Sequence, residues 1–157
     1  MTEPKVYYRK PVGLRVLTVG SDDDLVESGT HAALDTFFEA QNAAMTPLLD
    51  APGITLLYAE NALLEIESTG PEGEALRQRY RGAAEIQYYF ETLTQSMASI
   101  VNIERYRAVS GRKALVFSIL RTVSAGAQQS ADLDSRIELE FDENDLVVYE
   151  NVRIRPH

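Results

Sequence analysis

Proton-moving chemistry needs a carboxylate, a histidine or a phenol that a fold can shield from water, and few residues of this chain qualify. Glu60 heads an apolar-alternating run, and Asp132 and Asp134 follow the polar, small-residue stretch 124–131. Both aspartates are read first as turn chemistry, with a swing into a pocket mouth as the functional alternative. His31 stands at the head of a helical pattern and His157 is the terminal residue, positions at which a histidine is more often incidental than catalytic. Tyr58, Tyr80, Tyr88, Tyr89, Tyr106 and Tyr149 lie in or beside apolar segments. A buried phenol needs a hydrogen-bond partner, so such tyrosines place the ring in the core and the hydroxyl at its rim, or orient a ligand.

Other chemistries find less support. Without cysteine there is no thiolate nucleophile, disulfide or thiolate metal site. The chain has no Gly-x-Ser-x-Gly elbow, phosphate loop or His-Glu-x-x-His helix, and its glycines lack dinucleotide spacing. Asp22-Asp23-Asp24 and Asp142-Glu143-Asn144-Asp145 are acidic runs without calcium-loop spacing, read as a helix cap and a hairpin turn. No cofactor or metal is expected. The net charge of −9 disfavours nucleic acid or an anionic membrane as partner. No apolar run approaches the 18 or so residues of a membrane span, and the first residues lack a signal pattern, so a cytoplasmic protein is expected.

The elements that must position these groups follow from periodicity. Residues 1–28 read as an N-terminal arm with a short strand around Val12–Val16 and Ser21 as a helix cap, leaving 29–157 as one domain. From Thr30, taken as a cap, Leu34, Phe37, Phe38, Gln41, Met45 and Leu48 recur at helical steps until Pro47 limits the helix. Pro52-Gly53 is a turn, residues 54–58 a short apolar run, and 62–68 a strand with Leu64 and Ile66 on one face and Leu63, Glu65 and Glu67 on the other. A helical turn is expected over 74–79. A second helix over 83–98 carries Ile86, Tyr89, Phe90, Leu93 and Met97 as its stripe. Strands follow over 100–109, 113–124, 136–141 and 146–154, with Asn144 suited to a left-handed turn position. Arg105 and Arg107 are expected on an outer face beside Glu138 and Glu140. Helices first and an antiparallel meander last imply an α+β fold, helices on one face of a curved sheet.

Tyr80-Arg81-Gly82-Ala83-Ala84-Glu85-Ile86-Gln87-Tyr88-Tyr89-Phe90, with Leu57-Tyr58-Ala59-Glu60-Asn61-Ala62-Leu63-Leu64 about 20 residues upstream, resembles the nuclear transport factor 2-like superfamily, its SnoaL-like and ketosteroid isomerase-like branch. The resemblance covers roughly residues 31–155. It implies a cone-shaped, curved antiparallel sheet wrapped around helices and enclosing a pocket. Gly82 lets the chain turn into the second helix without a Cβ penalty. Isomerase-like members use a strand carboxylate, a helix tyrosine and a protonated acid, which fall at Ile66, Phe37 and Ile137 here. In the limonene epoxide hydrolase-like pattern only Arg121 and Asn151 fall near functional places, and an amide does not act as a base.

The expectation is therefore a protein that binds a small hydrophobic molecule in an apolar pocket and lacks the family's usual catalytic groups. Its lining is expected from Phe37, Gln41, Tyr58, Leu64, Ile66, Tyr89, Phe90, Ile137, Tyr149 and Asn151. One alternative is a SnoaL-like enzyme (polyketide cyclase, isomerase, dehydratase or epoxide hydrolase type) using an inward acid, with Glu60, Asp132 and Asp134 as candidates. Another is an assembly module. Pairing into a homodimer through the open sheet face is expected from the resemblance.

Overall fold

Residues 5–8, 22–45, 50–70, 72–93, 95–126 and 129–157 are described by the structure, a computed structural model. The expected strand at residues 12–16 and the Ser21 cap lie outside them. The elements are β1 (Lys5–Tyr8), α1 (Asp22–Met45), α2 (Ala51–Thr55), β2 (Tyr58–Thr69), β3 (Ala75–Arg81), α3 (Ala83–Leu93), β4 (Met97–Ser110), β5 (Lys113–Ser124), β6 (Ser130–Phe141) and β7 (Val147–Pro156). The strands form one curved, unclosed sheet in the order β1-β4-β5-β6-β7-β2-β3. All pairings are antiparallel except β2 with β7, which run parallel. This is the α+β arrangement that the order of helical and alternating segments predicts.

Several boundaries differ from the sequence expectation, each for a local reason. The first helix begins at Asp22, so Thr30 lies inside it. The Thr30 hydroxyl sits 3.0 Å from the Val26 carbonyl and 2.6 Å from that of Gly111, a back-bond along the helix and a tie to the β4–β5 hairpin, in place of a cap. The Pro52-Gly53 turn and the head of the run that follows it form α2, because Asp50 accepts the Gly53 N–H at 3.1 Å and Pro52 suits a first turn. Residues 75–81 form a strand in place of the helical turn: antiparallel pairing with β2 sets Arg79 against Glu65 and Arg77 against Glu67. The second helix stops at Leu93, and Met97 opens β4 opposite Ser124. In the last hairpin Asp145, and not Asn144, takes the left-handed position, with φ 63°.

The core lies between the helices and the inner face of the sheet. Leu34, Phe37, Phe38 and Met45 of α1 and Ile86 and Phe90 of α3 pack on Leu64, Ile66, Val109, Val116, Ile137, Leu139 and Phe141. Gly82, with φ 86°, makes the turn between β3 and α3 that only glycine adopts cheaply. The arginines of β4 do not share an outer face as expected. A bulge between Glu104 and Tyr106 leaves Arg105 exposed and turns Arg107 inward. Arg107 there donates to both Glu104 oxygens at 2.8 and 3.0 Å and to Asp35 at 2.7 Å. Glu138 pairs instead with Arg136, and Glu140 with Lys113.

Candidate functional site

Between the helices and the inner sheet face lies a cavity of about 130 Å³. Gln41 and Met45 of α1, Tyr89, Phe90 and Leu93 of α3, Leu64 and Ile66 of β2, and Leu120, Leu133 and Ile137 of β5 and β6 line it. Met97, Ile100 and Asn102 of β4, Thr122 of β5 and Glu150, Val152 and Ile154 of β7 complete the wall. Among the described residues the lining is apolar apart from a few groups, and Glu150 is the acid among them.

Glu150 sits in the middle of the sheet, level with Leu64 on one neighbouring strand and Leu139 on the other, and only 2% exposed. The Tyr58 hydroxyl, at the start of β2, donates to its Oε1 at 2.5 Å. Tyr58 is itself held by edge-on packing against Phe37, centroids 6.0 Å apart, and by the tilted ring of Phe90 at 6.2 Å. Burial pushes the Glu150 carboxyl up to about 7, and the Tyr58 hydrogen bond opposes part of that rise. Burial first, then the neighbouring Glu150, raises the phenols of Tyr58 and Tyr89, which are held neutral. The arrangement is a carboxyl group in a low-dielectric wall, oriented by one phenol and able to exist in either protonation state near neutral pH.

The residues singled out from sequence divide into three groups. Gln41, Leu64, Ile66, Tyr89, Phe90 and Ile137 reach the cavity wall. Phe37 and Tyr58 are buried behind it, the ring of Phe37 also against Phe38 and Phe141. Tyr149 and Asn151 lie on the opposite face. The Tyr149 hydroxyl donates to Glu65 at 2.6 Å and is raised to about 12, by desolvation and then that hydrogen bond. Asn151 donates to Glu67 at 2.6 Å. Glu65 and Glu67 are held below the usual carboxylate range, chiefly by the hydrogen bonds from Tyr149 and Asn151 respectively.

The proton-transfer candidates face outward. Glu60 is exposed. Asp132 is paired with Arg121 through two contacts of 3.0 and 3.1 Å, and the Arg121 hydrogen bond lowers its carboxyl. Asp134 meets His157 Nδ1 at 2.7 Å on the surface. Arg121 and Asn151, the two polar groups placed near hydrolase-like positions, are thus both outside the cavity.

Glu150 is the group that sequence reasoning missed, and the register shows why. Phe141 pairs with Val147 but Glu140 pairs with Tyr149, so β7 carries one extra residue there. Counting by twos from the buried Val147 puts Tyr149 and Asn151 inside; the bulge reverses this and turns Glu150 inward. A usable signal was present at the other end of the strand. Counting back from Ile154 and Val152, both inward, reaches Glu150.

No family model matches the sequence, and no curated protein matches it. Solved structures do resemble it. The epoxide hydrolase/cyclase-like enzyme SalBIII, described in pyran ring formation in the polyether salinomycin, aligns over 82% of this chain and 92% of its own, at 14% identity and a TM-score of 0.62. An NTF2-like protein of unknown function from Burkholderia pseudomallei K96243 aligns over 78% of this chain and 88% of its own, at 17% identity and a TM-score of 0.57. This chain has the nuclear transport factor 2-like fold. A SnoaL-like polyketide cyclase from Shewanella denitrificans OS-217, itself assigned by resemblance, also shares the fold, over 80% of this chain and 89% of its own, at 10% identity and a TM-score of 0.60. At these identities the likeness is one of fold. The nuclear transport factor 2-like frame still matters chemically, because its sheet bends around the space that Glu150 enters. Among the described residues no helix is long and apolar enough to cross a membrane.

Proposed function

We propose that this protein moves a proton on a small, largely apolar substrate held in the cavity, with Glu150 as the acid–base group. The observation that carries this reading is a fully buried carboxyl group in the cavity wall, pushed up to about 7 by its surroundings. A general acid or base works best when its pKa lies near the operating pH, and burial is the usual means of raising a glutamate that far. Tyr58 orients the carboxyl through its Oε1. Double-bond migration, enolisation, ring closure and dehydration all contain the step that such a site supplies. The cyclase-type proteins that share the fold support this class of reaction.

Deuterium exchange tests it. Small cyclic ketones are incubated with the protein in deuterated buffer and the label is followed by mass spectrometry. Exchange is expected to fall at least about 100-fold in Glu150→Gln, which keeps the shape and the acceptor for Tyr58 but cannot carry the proton. Equal exchange in the two proteins, or none in either, would count against Glu150 as the acid–base group.

A second reading, a binding protein without turnover, is favoured by the Tyr58–Glu150 bond itself, since an internal partner already occupies one carboxylate oxygen. Native mass spectrometry that releases an intact apolar molecule, together with no exchange, would select it. Homodimer formation through the outer sheet face is part of the proposal. The stacked rings of Tyr106 and Phe117, 4.6 Å apart, lie in a broad groove there beside Arg105 and Arg136, and light scattering of Phe117→Glu would test it.

A further inference from the structure

We infer that Asn102 is the polar anchor for the ligand of this cavity, and that the ligand is a neutral, single-ring-sized molecule bearing an amide- or lactam-like pair of hydrogen-bond acceptor and donor. This inference rests on the reading that the cavity takes a ligand. Asn102 lines the cavity from β4 and is 7% exposed. Neither its Nδ2 nor its Oδ1 has a hydrogen-bond partner among the described residues. A buried amide left unsatisfied costs free energy that a protein ordinarily avoids, so a carboxamide aimed into a cavity points to a group that completes it. Its donor and acceptor sit side by side, and the complement is a carbonyl oxygen next to an N–H.

The backbone of Asn102 is held in place for this. Among the described residues strand β1 covers β4 from Tyr106 to Val109, and no described strand lies beside Asn102 on that edge. Asn42 of α1 takes that role: its Oδ1 accepts the Asn102 N–H at 2.8 Å and its Nδ2 donates to the Asn102 carbonyl at 3.1 Å. With both backbone groups clamped, the side-chain amide is presented from a fixed point, which is how a recognition group avoids ordering costs on binding.

Charge and size narrow the ligand. Among the described residues no Lys, Arg or His lines the cavity, while Glu150 does, so an anionic ligand would meet one acid and none of their counter-charge. The cavity, at about 130 Å³, is close to the roughly 150 Å³ engineered apolar cavity known to hold benzene, which favours one ring over a fused polycycle. Asn102 on β4 and Glu150 on β7 face the cavity from strands separated by β5 and β6 across the curved sheet. The anchored group and the atom facing Glu150 are therefore different parts of the ligand.

Benzamide, acetophenone and toluene, titrated by amide chemical-shift perturbation against the full chain and Asn102→Leu, test this. Benzamide is expected to bind the natural chain about tenfold more tightly than toluene, with acetophenone between, and the leucine variant to lose that order. Asn102→Ser, which puts a single short hydroxyl in place of the side-by-side donor and acceptor, should reduce the benzamide preference, and it carries the test should the leucine variant not fold. An unchanged benzamide-to-toluene ratio in the variant, with shifts still at the cavity, overturns the anchor alone. Absence of any binding to the natural chain overturns the ligand cavity and the anchor together.

Discussion

Replacing Glu150 by glutamine should change how the stability of this protein depends on pH, and the size of the change follows from the site. A carboxyl group ordinarily titrates at 4.5, and in the fold Glu150 is raised to about 7. The native state therefore binds more protons than the unfolded state between these values, and stability falls as pH rises through that window. Its full contribution is present below pH 4.5 and is lost above about 7. At 1.36 kcal/mol per pH unit the difference is about 3 kcal/mol, corresponding to roughly 6–12 °C in Tm for a chain of this length. Glutamine has no proton to lose and still accepts from Tyr58. Urea denaturation at intervals from pH 4.5 to 8.5 should show the natural chain losing about 3 kcal/mol while Glu150→Gln stays nearly level and becomes the more stable at pH 8. Glu65, Glu67 and Asp132 are all lowered, so their contributions are lost at more acidic pH and do not imitate this slope. Parallel curves for the two proteins across the window would refute the reasoning, because Glu150 would then titrate as an ordinary carboxyl.

Other perturbations have equally definite outcomes. Tyr58→Phe removes the hydrogen bond that opposes the rise, so the Glu150 carboxyl should titrate above its present value of about 7 by carbon-13 NMR. Arg107→Met takes the bidentate partner from Glu104, whose side chain is 3% exposed, and should destabilise by about 3–5 kcal/mol in chemical denaturation, with the double change to Arg107→Met and Glu104→Met recovering most of the loss. Asn42→Ala should cost about 1–2 kcal/mol and speed hydrogen exchange at the Asn102 amide, which it now holds at 2.8 Å. Gly82→Ala meets open space apart from the Glu60 carbonyl at 3.6 Å, so thermal melts should show only the strain of φ 86°, about 1–2 kcal/mol.

Much of the fold was legible because periodicity reports burial directly. The α1 stripe of Leu34, Phe37, Phe38 and Gln41 and the β2 alternation of Leu64 and Ile66 both point to the core as expected. Misread segments were those in which a tertiary contact overrides a local pattern. Residues 75–81 have no apolar face of their own and become a strand only because β2 offers a ladder. The site was half legible for a related reason. Leu64, Ile66 and Ile137 reached the wall, whereas the bulge near Val147 put Tyr149 and Asn151 on the other face. A bulge is one extra residue with no composition of its own, and a buried glutamate between Tyr149 and Asn151 looks like a polar outer face until the register is known.

The parallel seam between β2 and β7 also sets when the site can exist. Tyr58 and Glu150 lie 92 residues apart, and the strands that carry them meet only after β3 to β6 are in place between them in sequence. A chain emerging from the ribosome will have made α1, β2 and α3 long before it can close the cone. Until β7 arrives, the inner edge of β2 with Leu64 and Ile66 stays open to chance strand pairing. Its arrival closes the long loop between β2 and β7, a slow step expected of non-local topology. Truncation before residue 147 should therefore yield an aggregating precursor instead of a folded chain with a weakened site. The buried carboxyl, in this protein, finds its cavity with the last strand home.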